Sequence, residues 1–285
     1  MEAQLTAAEA RAAEETVARS DTSNQGRRKG FFTDTTLCIG CKACEVACKQ
    51  WNQLPDDGIT FTGMSYDNTV ELGASTWRHV AFIERPVALS NQDAGAFSWL
   101  FSSDVCKHCV RAGCLESCPT GAIIRTEFDS VYVQPDICNG CGYCVVNCPF
   151  GVIDRREDDG RAWKCTLCYD RLKADMAPAC VKACPTDSIK FGDVEELRET
   201  ARARVSRLQE RGMTEAYLYG ADAATQPGTE GLNAFFLLVD RPEAYNLPSD
   251  PVVPTKRVKA AWASFAMAAM GMMAVAIGSV FAARR

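Results

Sequence analysis

The chain has 285 residues, 24% of them charged, with a formal net charge of −5 and a pI near 5.3. This composition excludes a largely disordered chain, and the lack of a basic excess excludes a protein that neutralises nucleic-acid phosphates. Cysteine is the outlier, with 16 residues against two histidines, His79 and His108.

In chain order, residues 2–19 are rich in Ala and Glu and read as a helix, and residues 20–26 as a polar linker. No apolar run of signal length follows Arg27 and Arg28, so both read as ordinary surface charge. Cysteine motifs fill 38–48, 106–118, 138–148 and 165–184. The 57 residues between Cys48 and Cys106 contain none. They hold a strand-like run at 79–83 and an apolar run at 97–101, and read as an insertion packed on the cysteine-rich core. Residues 188–191 read as a strand. Asp193, with Glu196 three residues on, reads as the N-cap of a charged helix to about Glu210. Residues 234–239 read as another strand, and Pro242, Pro248, Pro251 and Pro254 as an extended, stiff connector.

Residues 260–283 carry no charge. At ~1.5 Å per residue they make about 36 Å of helix, enough to cross a ~30 Å hydrocarbon layer with some tilt. The competing reading is a buried core helix, for which the run is too long and uniform. Lys256, Arg257 and Lys259 flank one end, and Arg284 and Arg285 the other, and Trp262 stands where an interfacial aromatic belongs. Ala266, Gly271, Ala274 and Gly278 permit close helix approach in lipid, which favours docking on a membrane partner.

Cys38, Cys41, Cys44 and Cys48, and again Cys138, Cys141, Cys144 and Cys148, have the spacing C-x2-C-x2-C-x3-C of bacterial ferredoxins. There the first three thiolates grip one cubane and the fourth reaches another. Cys106, Cys109, Cys114 and Cys118 widen one gap to four residues, and Cys165, Cys168, Cys180 and Cys184 widen it to eleven. A repeat supports the grouping: Cys118-Pro119-Thr120-Gly121-Ala122-Ile123 matches Cys148-Pro149-Phe150-Gly151-Val152-Ile153, and Cys184-Pro185-Thr186-Asp187-Ser188-Ile189 is a looser copy. Proline turns the chain away from the cluster, and the Ile packs beneath it. Lys49 follows Cys48 instead, so that ligand rests on spacing alone. Disulfides do not need such triplets, whereas the fourth group taken alone also fits a four-thiolate zinc site. Sixteen thiols in four complete tetrads give four [4Fe-4S] clusters. His108 reads as a surface or packing residue, or as a donor tuning a cluster. Lys42, Lys107 and Lys164 read as cations raising a local potential or as solvated charges.

At residues 35–52 (TTLCIGCKACEVACKQWN), 138–153 (CNGCGYCVVNCPFGVI) and 163–170 (WKCTLCYD) the chain resembles the iron–sulfur β subunit of membrane-bound respiratory formate dehydrogenases. The resemblance covers about 31–285. It implies an α+β fold: two tandem ferredoxin-like dicluster lobes with insertions, plus a C-terminal transmembrane helix. The expected division is an extension at 1–30, the four-cluster domain at 31–195, a helix and strand extension with linker at 196–255, and the anchor at 256–285. By carry-over, cluster 1 takes Cys38, Cys41, Cys44 and Cys184, and cluster 2 takes Cys48, Cys165, Cys168 and Cys180. Cluster 3 takes Cys106, Cys109, Cys114 and Cys148, and cluster 4 takes Cys118, Cys138, Cys141 and Cys144. Nitrate reductase relatives replace one cysteine by Trp; this chain keeps all sixteen. The implied partners are a molybdenum or tungsten pterin subunit that oxidises formate and a membrane cytochrome b or similar quinone-reducing subunit. The implied location is the outer face of the membrane. The chain itself carries no pterin-binding signature, no G-x-G-x-x-G and no nucleophilic triad. The competing readings are the equivalent subunit of a hydrogenase or another molybdenum oxidoreductase, and a free-standing tethered ferredoxin.

Overall fold

The computed structural model describes residues 28–283 except 57, 59–60, 64–65, 70 and 87–96. The helix expected over 2–19, its linker, and Arg27, Arg284 and Arg285 lie outside the described residues.

Strand β1 (Lys29–Asp34) alternates its faces, as a pleat requires. Phe31 joins a core containing Cys44, Cys48, Cys165 and Cys180. Phe32 points the other way, onto Leu197, Ala201 and Leu208 of a later helix. Helix α1 (Ala43–Asn52) carries Cys44 and Cys48. The expected insertion is a long antiparallel hairpin, β2 (Arg78–Pro86) with β3 (Phe97–Val105), in register Arg78 to Val105. Short helix α2 (Gly113–Glu116) and hairpin β4 (Ile123–Arg125) with β5 (Val131–Val133) follow. Then come α3 (Tyr143–Val146) and the small hairpin β6 (Asp154–Arg155) with β7 (Ala162–Trp163). Helices α4 (Tyr169–Lys173) and α5 (Ala179–Lys182) complete the cysteine-rich part.

Strand β8 (Ile189–Asp193) leads into α6 (Val194–Glu210), where the Asp193 side chain accepts from the Glu195 N–H at 3.1 Å, so the expected cap is present. β9 (Tyr217–Tyr219) and β10 (Ala234–Leu238) close a four-stranded sheet in the order β8-β1-β10-β9. β10 runs parallel to β1, pairing Phe31 with Ala234. One sheet thus draws strands from before and after the four cysteine motifs, and residues 196–255 share a core with the cysteine-rich part.

α1 packs on α5, and α2 on α3, so the first cysteine motif neighbours the fourth and the second neighbours the third. Two sequence readings need correction. Arg28 is half-buried rather than ordinary surface charge: it donates to Asn233 Oδ1 at 2.6 Å and pairs with Asp129 at 3.3 Å. The proline-rich connector is not extended. Pro242–Tyr245 and Pro254–Arg257 form 3-10 turns, and Tyr245, Leu247 and Val253 are buried. Burying these apolar side chains outweighs the solvated extended conformation that the prolines favour. The last helix, α7 (Val258–Ala283), is the apolar one. None of its apolar window is buried within the protein.

Candidate functional site: four cysteine quartets

The backbone explains how the thiols converge. In each C-x2-C turn the residue before the second cysteine is left-handed: Gly40 (φ 69°), His108 (φ 42°), Gly140 (φ 72°) and Leu167 (φ 60°). That kink folds the chain so that both thiols point inward. Glycine tolerates it, while His108 and Leu167 hold it at a cost of about 1–2 kcal/mol each. At Gly140 there is a second constraint, because a Cβ would collide with the Gly160 carbonyl.

The Cys-Pro repeats share a second left-handed turn at Gly121, Gly151 and Asp187. Beyond it the chain curls back over the sulfur. Burial raises the thiol pKa of Cys118 and of Cys184, but hydrogen bonds outweigh it and lower both. For Cys118 these come from the Thr120 side chain and the backbone N–H groups of Ile123, Ala122 and Thr120. For Cys184 they come chiefly from the backbone N–H groups of Ile189 and Thr186. Donors aimed at sulfur favour the thiolate. Ile123, Ile153 and Ile189 are buried beneath the turns, as expected.

Cys38, Cys41, Cys44 and Cys184 line one cavity with Ser103 and Ile189. Cys106, Cys109, Cys114 and Cys148 line a second with His108 and Lys164. Cys48 lies in the field of Cys165, Cys180 and Cys168, and Cys144 in that of Cys138, Cys141 and Cys118. Burial above all pushes the Cys44 and Cys144 thiols up to about 11 and Cys165 to about 12; neighbouring thiols add to this, while Arg78 and the Ser103 hydroxyl hold Cys44 back.

Neighbouring quartets lie within electrostatic reach of one another in sequence. Cys44 of the first is within electrostatic reach of Cys180 of the second, Cys165 of the second of Cys106 of the third, and Cys114 of the third of Cys144 of the fourth. The four sites form a row. Its middle is covered, since Cys48, Cys165, Cys168 and Cys180 are all buried; its ends open, since Cys41 and Cys141 are exposed. Exposed apolar side chains surround both ends, Ile39 and Val46 at one, Ile137, Tyr143 and Val146 at the other.

The basic residues beside the ligands are not solvated charges. Lys42 pairs with Asp67 at 2.7 Å, and Lys107 is buried against Asp104. Lys164 is buried and donates to the carbonyls of Val131 and of Cys165, with no carboxylate partner among the described residues. His108 is buried, not a surface residue. Burial first, then the cations Lys164, Arg125 and Arg78, holds its pKa well below the ordinary value. Its Nδ1 accepts from the Val131 N–H at 3.1 Å, which leaves Nε2 protonated and, among the described residues, without a partner.

These features fit iron–sulfur clusters. Among the described residues no three His, Cys, Asp or Glu side chains crowd closely enough to hold a single metal ion. Backbone and side-chain donors already reach the sulfurs: Leu167 N–H to Cys165 at 3.4 Å, Ala162 N–H to Cys138 at 3.4 Å, and the Ser103 hydroxyl against Cys44 at 3.3 Å. Buried cations without carboxylates are costly beside neutral thiols and favourable beside cluster thiolates.

Two family models, both described as a 4Fe-4S dicluster domain, match residues 37–122 and 97–194. The nitrate-inducible formate dehydrogenase iron-sulfur subunit of Escherichia coli (strain K12) is 39% identical over 252 residues, 87% of this chain and 82% of its own length. The formate dehydrogenase iron-sulfur subunit of Haemophilus influenzae is 42% identical over 224 residues, 77% of this chain and 68% of its own length. The B subunit of the anaerobic dimethyl sulfoxide reductase of Escherichia coli (strain K12) is 34% identical over 170 residues, 60% of this chain and 76% of its own length.

Proposed function

The chain belongs to the family of formate dehydrogenase iron–sulfur subunits, and we propose that it carries electrons along its row of cysteine quartets from a formate-oxidising molybdenum or tungsten subunit to a membrane quinone-reducing subunit. The observation that carries this reading is the row itself: consecutive quartets within electrostatic reach of one another, a covered middle and two open ends. In this reading the ligands are Cys38, Cys41, Cys44 and Cys184; Cys48, Cys165, Cys168 and Cys180; Cys106, Cys109, Cys114 and Cys148; and Cys118, Cys138, Cys141 and Cys144. When bound, four [4Fe-4S] clusters supply one-electron acceptance and donation. The chain's own residues hold them in order, exclude water from the middle and leave the ends accessible.

The root of α7 supports a direction for the row. Thr255 donates to Glu116 of α2, and Val253 lies against Gly113 at the start of the same helix. α7 therefore leaves the fold beside the second and third motifs. With α7 as a membrane anchor, the quartet of Cys118, Cys138, Cys141 and Cys144 faces the membrane subunit. The quartet around the exposed Cys41 faces the catalytic subunit. Trp262, Phe265, Met270 and Val275 are exposed on α7, apolar surface that lipid or a partner helix covers in the membrane. Following the family resemblance, we place the soluble part on the outer face of the membrane, exported folded with its partner.

The test is to add formate, then hydrogen, to the anaerobic native complex and follow the visible absorbance of thiolate-ligated iron–sulfur clusters. Bleaching by formate is expected. Bleaching by hydrogen alone would move the chain to a hydrogenase, and bleaching by neither to another oxidoreductase.

A further inference from the structure

The hairpin β2–β3 interrupts the cysteine-rich chain and delivers one residue into its interior. Arg78 is 1% exposed, the largest fully buried side chain of the described residues. Its Nη1 donates to the Ser103 carbonyl at 3.3 Å and to the Ser103 hydroxyl at 3.0 Å. The same hydroxyl lies 3.3 Å from the Cys44 sulfur. Among the described residues Nε and Nη2 have no hydrogen-bond partner, and no carboxylate pairs with the guanidinium. The guanidinium also stands over the Phe31 ring, 4.9 Å from its centre.

An unpaired, fully buried cation with two idle N–H groups is rare, because desolvation is expensive unless anions surround it. The anions available here are thiolates. Cys44 of the first quartet and Cys48, Cys165 and Cys180 of the second lie within electrostatic reach. Arg78 therefore sits at the seam between those two quartets.

We propose that Arg78 is a positioning residue that raises the reduction potentials of the clusters in the first and second quartets together, so that electrons pass the first seam on near-level ground. Adding an electron makes a cluster more negative, and a fixed cation beside it favours that state. Ser103 holds the guanidinium in place while touching the Cys44 sulfur. The inference rests on the cluster assignment above and goes beyond it by naming what sets two of the four potentials.

The experiment is a dithionite titration of the anaerobic native complex followed by EPR, for the parent, Arg78→Gln and Arg78→Lys, with iron content measured on each. Sixteen irons per chain in the parent tests the cluster assignment; the potentials test the role of Arg78. In Arg78→Gln the reduction equilibrium constants of two clusters fall at least about tenfold, about 59 mV for a one-electron couple. The other two stay put, and Arg78→Lys returns the pair toward parental values. If Arg78→Gln loses iron, Arg78→Lys decides: sixteen irons and near-parental potentials support the inference. Unshifted potentials in Arg78→Gln, a uniform shift of all four clusters, or an Arg78→Lys variant as impaired as Arg78→Gln would overturn it.

Discussion

The thiol of Cys165 lies in the field of the Cys106 thiol, although 58 residues separate them and each gathers with a different quartet. Lys164, buried beside both, donates to the Cys165 carbonyl at 2.9 Å. This proximity links the two halves of the row. Cys106, Lys164 and Cys165 are all buried, so at this seam an electron meets little reorganising water and a fixed cation acts with little screening.

The proposed ligation across motifs has a direct consequence for Cys48. It stands on α1, in the first motif, yet lies among Cys165, Cys168 and Cys180. In Cys48→Ala the cluster held by those three is expected to be lost or altered, while the cluster of Cys38, Cys41 and Cys44 survives. EPR of the reduced variant reads this. Loss of the signal belonging to Cys38, Cys41 and Cys44 would refute the crossing.

Two glycines with similar backbones separate conformational strain from steric collision. A methyl group on Gly151 (φ 64°) would meet nothing within 4 Å, whereas one on Gly140 (φ 72°) would strike the Gly160 carbonyl. Gly151→Ala is expected to cost about 1–2 kcal/mol from left-handed strain alone. Gly140→Ala costs more and releases iron from the quartet of Cys138, Cys141 and Cys144 at lower denaturant. The check is iron retention against urea concentration for both variants. Equal midpoints would show that the Gly140–Gly160 approach is not a constraint.

Removing residues 260–285 takes away most of α7 and no cysteine. The truncated chain is expected in the soluble fraction with unchanged cluster absorbance. In the complex, donor oxidation should lose its coupling to quinone reduction. A truncated chain that still sediments with membranes would show that another subunit supplies the attachment.

Much of this was legible in the chain because cysteine spacing is local: a C-x2-C turn brings its thiols together whatever surrounds it. The repeat after Cys118, Cys148 and Cys184 was legible for the same reason, as was the Asp193 cap. Arg78 was not, because one arginine in a cysteine-free stretch has no local signal. Its place depends on hairpin register and on Ser103, 25 residues away. The burial of Lys107, Lys164 and His108 was also hidden, since a charged residue next to a ligand has the same sequence whether it faces water or the interior. A signal for the left-handed turns was present in Gly40 and Gly140 at matching motif positions, which carry over to His108 and Leu167. The proline connector misled because its buried anchors, Tyr245, Leu247 and Val253, are apolar residues scattered between prolines.

The central claim is a row of four cubanes on one chain, and iron and acid-labile sulfide per chain in anaerobically purified protein test it most directly. The account predicts close to sixteen of each, matching sixteen cysteines in four quartets. Eight irons after careful reconstitution, or stoichiometric zinc in one quartet, would contradict it.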